Sequence, residues 1–119
     1  MRFAIAPEVL RQRLLIEGYF TIEVDRERVN DYFKTITQGM NFSAYAEPII
    51  FSPAGKGKDI NQGYDAFIPL IDSGIALYIW TNARFFSVVI YTCKSFDADE
   101  AIRLTTQFFS ADKIHTHEF

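Results

Sequence analysis

The chain has 119 residues, 49% of them hydrophobic and 23% charged, which suits one globular domain with a single core over residues 1–119. The formal net charge is −3, and the sequence contains neither a Lys/Arg cluster nor a Gly-rich phosphate loop. Because phosphate binding needs a basic surface, we expect no nucleic-acid partner. The single cysteine excludes an internal disulfide, and no apolar run approaches the ~18 residues of a membrane span. We therefore predict a cytoplasmic protein without a membrane segment.

Alternating apolar and polar residues predict a long first strand over residues 14–24. Asp25 then offers an N-cap, and apolar residues at helical spacing predict a helix that Gly39 ends. A second strand over residues 44–51 contains Pro48, which is tolerated at a sheet edge or a bulge. The apolar stripe of the helix is typical of a core-facing surface and indicates no site.

The second half of the chain continues as a meander. A loop over residues 52–63, rich in Gly and Lys, comes first. Three strands follow in quick succession, at 66–71, 75–80 and 85–93. A capping box at Asp97 begins a second helix, and alternation over 113–119 predicts a last strand. These elements predict an α+β fold, a two-layer sandwich of an antiparallel β-sheet with two helices on one face.

The strands of the meander are apolar on both faces. Two helices of about four turns each can cover only one face of such a sheet. The other face would leave an exposed apolar patch unless a partner covers it. We therefore predict a homodimer that packs sheet to sheet.

Short motifs stand in a fixed order along these elements. The first strand contains RLLIEGYF, and Phe51 opens an F-x-P-x-G motif. An acid–serine pair at Asp72-Ser73 is followed by Trp80 and by a Y-T-C triplet that ends at Cys93. In order and spacing these motifs resemble the small prokaryotic S-adenosylmethionine decarboxylases, a pyruvoyl-dependent family of polyamine biosynthesis. The resemblance runs through most of the chain and implies the fold of that family.

The resemblance also implies a chemistry for the acid–serine pair. In the family, the serine hydroxyl attacks the carbonyl of the preceding residue, here Asp72, and chain cleavage turns the serine, here Ser73, into an N-terminal pyruvoyl group. The pyruvoyl ketone is the electron sink for decarboxylation, the role that PLP plays elsewhere. A nearby thiol, here Cys93, returns a proton. No separate cofactor is expected.

Several residues of the family pattern are replaced in this chain. Asp65 stands where the family has a serine that helps the acyl shift, and Tyr78 stands where it has a histidine that assists the ester step. Asn82 replaces a glutamate that holds the substrate ribose, while Gly74 and Thr81 replace a histidine and a proline. The nucleophile and the proton donor are therefore kept, whereas the processing partners and a substrate anchor are changed.

These replacements leave two hypotheses. In the first, the protein is not self-processed, Ser73 is a structural residue of a turn, and the relict cleft binds a small molecule or serves an assembly role. In the second, it is an active pyruvoyl-dependent decarboxylase of S-adenosylmethionine or a basic amino acid, with Asp65 as base and Tyr78 as hydrogen-bond donor. Because an unassisted serine hydroxyl is a poor nucleophile, we favour the first.

The remaining candidates concern substrate and metal. The predicted substrate-binding residues are Phe51, Glu17, Asn82 and Trp80. Phe51 occupies the position that stacks the adenine in the family, and Glu17 is either an exposed strand carboxylate or a pocket residue that faces a dimer partner. His115 and His117 share a face of the last strand, but zinc needs at least three protein ligands, so no metal is predicted. Lys56 and Lys58 are expected to be solvated charges.

Overall fold

The structure is a computed structural model that describes residues 3–52 and 62–119. Its elements, in chain order, are β1 Gln12–Tyr19, α1 Arg26–Met40, β2 Ile49–Phe51, β3 Gly63–Leu70, β4 Ser73–Trp80, β5 Phe85–Thr92, α2 Ala98–Phe109 and β6 Asp112–Glu118. The strands form one sheet in the order β2-β3-β4-β5-β1-β6, with every pair antiparallel. The predicted α+β sandwich is confirmed. Neither described helix has the length and apolar character needed to cross a membrane.

The core lies between the sheet and the two helices, which pack side by side on one face. Alternate residues of the central strands point into it and are buried: Leu14, Ile16, Ile75, Leu77, Ile79, Phe86, Val88 and Ile90. The helices contribute Val29, Phe33, Ile36, Ala101 and Phe109, all buried. Burying each large apolar side chain stabilises the fold by about 1.5–3 kcal/mol, so this layer fixes which face of every strand points inward.

Helix α1 begins where the sequence predicts and ends later. Asp25 is the N-cap, and its Oδ1 accepts the backbone N–H of Arg28 at 2.8 Å. The helix continues through Gly39 to a C-cap at Asn41, which adopts the left-handed conformation at φ 57°. Gly39 serves packing instead, since a Cβ there would lie 2.6 Å from Leu104 Cδ1. The glycine therefore permits close contact between the helices.

A buried polar contact also joins the helices. Tyr32 of α1 and Thr105 of α2 share a hydrogen bond of 2.8 Å between their hydroxyl oxygens, and both side chains are fully buried. Burial raises the pKa of Tyr32 well above its usual range, because the phenolate has no water around it. Asp97, the predicted N-cap of α2, accepts the N–H of Glu100 at 3.2 Å.

The first strand is shorter than the alternation over residues 14–24 predicts. β1 ends at Tyr19, because the next two backbone N–H groups leave the ladder. Phe20 donates to the carbonyl of Arg84 at 2.8 Å, and Thr21 donates to that of Phe109 at 3.2 Å. Phe20 is nevertheless buried, which is why the apolar pattern outlasts the strand.

The second strand is also reduced. β2 is a three-residue strand at the sheet edge, directly after Pro48, as the proline predicts. Ala44, at the start of the predicted strand, forms a single bridge to Leu70. The Gly- and Lys-rich loop, with Lys56 and Lys58, lies outside the described residues apart from its ends.

In the described part of the chain, neither helix covers the second face of the sheet, which we call the open face. Side chains that alternate with the core residues cover it. Six large ones are between 39% and 65% exposed: Tyr19, Ile49, Phe51, Phe67, Tyr78 and Tyr91. This is the apolar surface that the sequence predicts for an association between two copies.

Candidate functional site

The β3–β4 hairpin places Asp72 and Ser73 at one end of the sheet. Its turn consists of Ile71 and Asp72, and Ser73, paired with Leu70, is the first residue of β4. The predicted strands leave residues 72–74 for this turn, so the observed turn is one residue shorter and begins one residue earlier. Asp72 adopts the left-handed conformation at φ 59°, which aspartate tolerates better than most residues.

Ser73 and Cys93 come together at this end, as their positions on successive strands predict. Cys93 directly follows β5, and its backbone N–H donates a hydrogen bond to Ser73 Oγ at 3.1 Å. The thiol is exposed and forms no disulfide. Asp72, Ser73 and Cys93 therefore form one group, which we call the turn cluster.

A cavity of about 210 Å³ opens beside the turn cluster. Its lining residues are Phe42, Ser43, Leu70, Ile71, Asp72, Ser73, Cys93 and Lys94. The lining thus combines an apolar wall with hydroxyl groups, a thiol, one carboxylate and one ammonium group. Such a mixture of apolar surface and a few polar groups is typical of sites for small molecules.

A second set of polar residues lies in one line across the open face. Asp65 of β3 faces Tyr78 of β4, Tyr78 faces Ser87 of β5, and Ser87 faces Glu17 of β1. Ser87 Oγ donates a hydrogen bond to Glu17 Oε2 at 2.9 Å. We call these four residues the polar row. Phe51 of β2 faces Asp65 and extends the row at its end.

The polar row and the turn cluster of one protomer are far apart. The Asp65–Tyr78 pair lies five residues along the hairpin from the Leu70–Ser73 pair, which corresponds to about 16 Å at ~3.3 Å per residue. Because side chains alternate along a strand, Tyr78 and Ser73 also belong to opposite faces. Asp65 and Tyr78 therefore do not reach Ser73 of the same protomer.

Trp80 and Asn82 lie beyond the polar row, at the opposite end of β4 from Ser73. Trp80 packs against Phe85, with 5.3 Å between the ring centroids, and Asn82 belongs to the turn over residues 81–84. Phe51 is 65% exposed, and the proline and glycine of its F-x-P-x-G motif lie outside the described residues. The four predicted substrate-binding residues thus stand apart from the turn cluster.

The two histidines lie on the edge strand β6. His115 faces Glu17 across the β1–β6 ladder, and His117 faces Leu15 and stacks on Phe119 with centroids 6.0 Å apart. Within residues 3–52 and 62–119, no group of three or more His, Cys, Asp or Glu side chains is arranged to hold a metal ion.

Sequence reasoning missed several residues of both groups. Ser87 is nearly buried at 8% exposure, and its signal is a hydroxyl inside the apolar run FFSVVI. Lys94 directly follows Cys93 and brings the only cation of the cavity lining described here. Phe42 and Ser43 belong to no sequence motif. They line the cavity because the tertiary structure brings the segment after α1 next to the β3–β4 turn.

Comparison with known proteins agrees with this architecture. The sequence model for S-adenosylmethionine decarboxylase matches residues 12–119. The chain belongs to the S-adenosylmethionine decarboxylase family. A search of curated proteins found no match.

The solved structures include a similar member of the S-adenosylmethionine decarboxylase family. It is the crystal structure of the adenosylmethionine decarboxylase from Aquifex aeolicus VF5, with a TM-score of 0.68 and 15% sequence identity. The similarity covers 93% of this chain and 89% of that one. At this identity, the likeness establishes the fold alone.

Self-processing in an S-adenosylmethionine decarboxylase requires a group that assists the serine hydroxyl. In the described part of this chain, Ser73 Oγ accepts its hydrogen bond from Cys93 N–H, and no carboxylate or imidazole is hydrogen-bonded to it. The residues that replace the family's processing pair lie about 16 Å away. The groups of one protomer therefore do not fit the formation of a pyruvoyl group from Ser73.

Proposed function

We propose that this chain is a divergent S-adenosylmethionine decarboxylase family member that keeps the bond between Asp72 and Ser73 intact. It binds a small molecule in the cavity beside Ser73. The observation that carries this proposal is the hydrogen bond from Cys93 N–H to Ser73 Oγ, made without any base at the hydroxyl among the described residues. A serine hydroxyl that stays protonated is a poor nucleophile toward an amide carbonyl.

The cavity supports the binding part of the proposal. It lies next to Ser73 and Cys93, to which the resemblance assigns the pyruvoyl source and the proton donor, and it offers both charge signs together with an apolar wall. A protein that loses self-processing can keep such a site, because binding needs shape and polar contacts rather than an activated nucleophile.

An active pyruvoyl-dependent decarboxylase of polyamine biosynthesis is the second candidate. Two observations favour it: Ser73 and Cys93 are adjacent, and Asp72, on the acyl side of the bond to be cleaved, has a left-handed backbone conformation. Its substrate would be S-adenosylmethionine or a basic amino acid. In this alternative, Asp65 and Tyr78 must come from another protomer, because those of the same protomer are too far away.

We further propose that the protein is a cytoplasmic homodimer in which the open faces of two protomers pack together. The exposed aromatic side chains of that face would then be buried. A two-fold axis that crosses the strands would lay the polar row of one protomer over the other protomer's open face beside the turn cluster, where Asp72 and Ser73 border a second, open cavity. The dimer therefore bears on both candidate functions.

Intact-mass spectrometry of the purified protein tests the proposed function. We expect one species near 13.7 kDa. Two fragments that separate between Asp72 and Ser73, the second beginning with a carbonyl group reducible by borohydride, would overturn it and support the active enzyme. Ser73→Ala is the control, because in that variant no pyruvoyl group can form.

A thermal-shift screen with S-adenosylmethionine, polyamines and amino acids tests the binding part separately. At least one class is expected to raise the melting temperature, since a ligand that binds only the folded state stabilises it. An absence of any shift would leave a structural or protein-binding role for the fold.

A further inference from the structure

We infer that the ligand of the cavity is a neutral α-amino acid, held at its ammonium group by Asp72 and at its carboxylate by Lys94. This inference rests on the proposed function, of which it specifies the ligand class. It follows from the charges of the cavity, from its volume and from the composition of its wall.

The charges of the lining match the two ends of a free amino acid. Asp72 and Lys94 are the charged residues of the lining, one of each sign. In the described structure, neither charged group forms a salt bridge or a side-chain hydrogen bond, with the other or elsewhere. Both charges thus stay available to a ligand, and a zwitterion satisfies the two at once.

The hydroxyl groups of Ser43 and Ser73 add uncharged polar contacts near the same position. The oxygen of Ser73 already accepts the N–H of Cys93, so its hydroxyl hydrogen is the part left to donate. That hydrogen suits an acceptor such as the ligand carboxylate.

The volume limits the part of the ligand that the cavity encloses. At roughly 30 Å³ for each water molecule, a cavity of about 210 Å³ holds about seven waters. Covalently bonded atoms lie closer together, so a compound of about seven to ten heavy atoms fills it, which is the size of valine, leucine or methionine. Sites for drug-sized ligands measure roughly 300–1,000 Å³, so an intact nucleoside with an attached amino acid would extend out of this cavity through its open side.

The wall determines the character of the ligand side chain. Phe42, Leu70 and Ile71 provide apolar surface, and within one protomer no second carboxylate is among the lining residues to pair with a cationic side chain. Burial of a charge without a partner is costly, whereas burial of apolar surface stabilises a complex by about 25 cal/mol per Å². The cavity therefore favours leucine or methionine over ornithine, arginine or the sulfonium of S-adenosylmethionine.

The test is a titration of the ¹⁵N-labelled protein with leucine, followed by the backbone amide signals of Ser73 and Cys93. We expect saturable shifts, and Lys94→Met to weaken leucine binding by about two- to fivefold, the range for an ion pair near a surface. Leucinamide, which lacks the carboxylate, should bind the wild type and Lys94→Met equally. Asp72→Asn should weaken leucine but not 4-methylpentanoate, which lacks the ammonium group.

Lys34→Met, which removes an exposed charge on α1 away from the cavity, is the matched control and should bind leucine as the wild type does. Unchanged leucine affinity in Lys94→Met, tighter binding of ornithine or S-adenosylmethionine, or no amino-acid binding would each overturn the inference. If a polyamine binds at Ser73 and leucine does not, only the ligand assignment fails. Cleavage at Ser73 in the mass spectrum would instead remove the proposed function.

Discussion

The ring of Phe67 lies over Gly74, so closely that a Cβ added to Gly74 would be 2.5 Å from Phe67 Cζ. Gly74 directly follows Ser73 and stands where the resemblance implies a histidine. The space that a histidine side chain would occupy is therefore filled by the ring of Phe67 from the neighbouring strand.

Gly74→Ala is expected to destabilise the wild-type fold by about 1 kcal/mol, because the added methyl group forces the Phe67 ring aside. In a Phe67→Ala background, the same change should be neutral or stabilising by about 0.5 kcal/mol, since glycine inside a strand is itself unfavourable. Urea unfolding of the four proteins measures this double-mutant cycle. Equal costs in both backgrounds would contradict the contact.

Much of the fold follows from the sequence, because local signals agree with the tertiary structure. Asp25 and Asp97 both cap helices as predicted, and Pro48 marks the edge strand. The boundaries that failed depend on contacts from distant parts of the chain. Gly39 stays inside α1 because Leu104 packs against it, which no local pattern can indicate.

The candidate site was only half predictable for a similar reason. That Ser73 and Cys93 meet follows from two consecutive strands and is visible in their spacing. That Asp65 faces Tyr78, remote from Ser73, depends on the register of the β3–β4 hairpin. The two-residue turn sets this register. The predicted strands begin one residue after Asp65 and two residues after Ser73, so they leave both residues outside the ladder.

The buried Tyr32 predicts how stability depends on pH. Below about pH 10 the phenol is protonated in both the folded and the unfolded state. Above it, the unfolded chain loses this proton, while the folded protein keeps it because burial raises the pKa of Tyr32. The free energy of unfolding should therefore fall by about 1.4 kcal/mol per pH unit from this group alone.

Tyr32→Phe should remove this part of the pH dependence and cost about 1–2 kcal/mol at neutral pH, because Thr105 loses its buried hydrogen-bond partner. Urea unfolding between pH 9 and 11 compares the slopes, with Tyr45→Phe, which removes an exposed hydroxyl, as the matched control. Parallel slopes for wild type and Tyr32→Phe would contradict the assignment.

The open face predicts a dimer that one charge can weaken. Val89 lies on this face, opposite Ala76 of the neighbouring strand. Val89→Lys should weaken association at least about tenfold, because a buried ammonium group without a partner is costly. Sedimentation equilibrium at micromolar concentration measures this. Ile5→Lys, at a 78% exposed residue outside the sheet, should remain dimeric, and a monomeric wild type would contradict the dimer.

Restoring the family's processing pair tests the proposal that Ser73 is not self-processed. We expect Asp65→Ser together with Tyr78→His to produce partial cleavage between Asp72 and Ser73, seen as two fragments by intact-mass spectrometry. The reason is that serine and histidine can assist the hydroxyl of Ser73, which has no base beside it in the described protomer. Adding Ser73→Ala should abolish the cleavage.

The same double variant shows whether the Ser73 hydroxyl is assisted by residues 65 and 78 of its own protomer or by those of the partner. The pair stands about 16 Å from Ser73 of its own chain, so only a face-to-face dimer brings it near a serine. Cleavage should therefore disappear when Val89→Lys is added and the protein becomes monomeric. Persistent cleavage in the monomer would contradict this geometry, and intact double variant in the dimer would mean that residues other than this pair keep Ser73 unreactive.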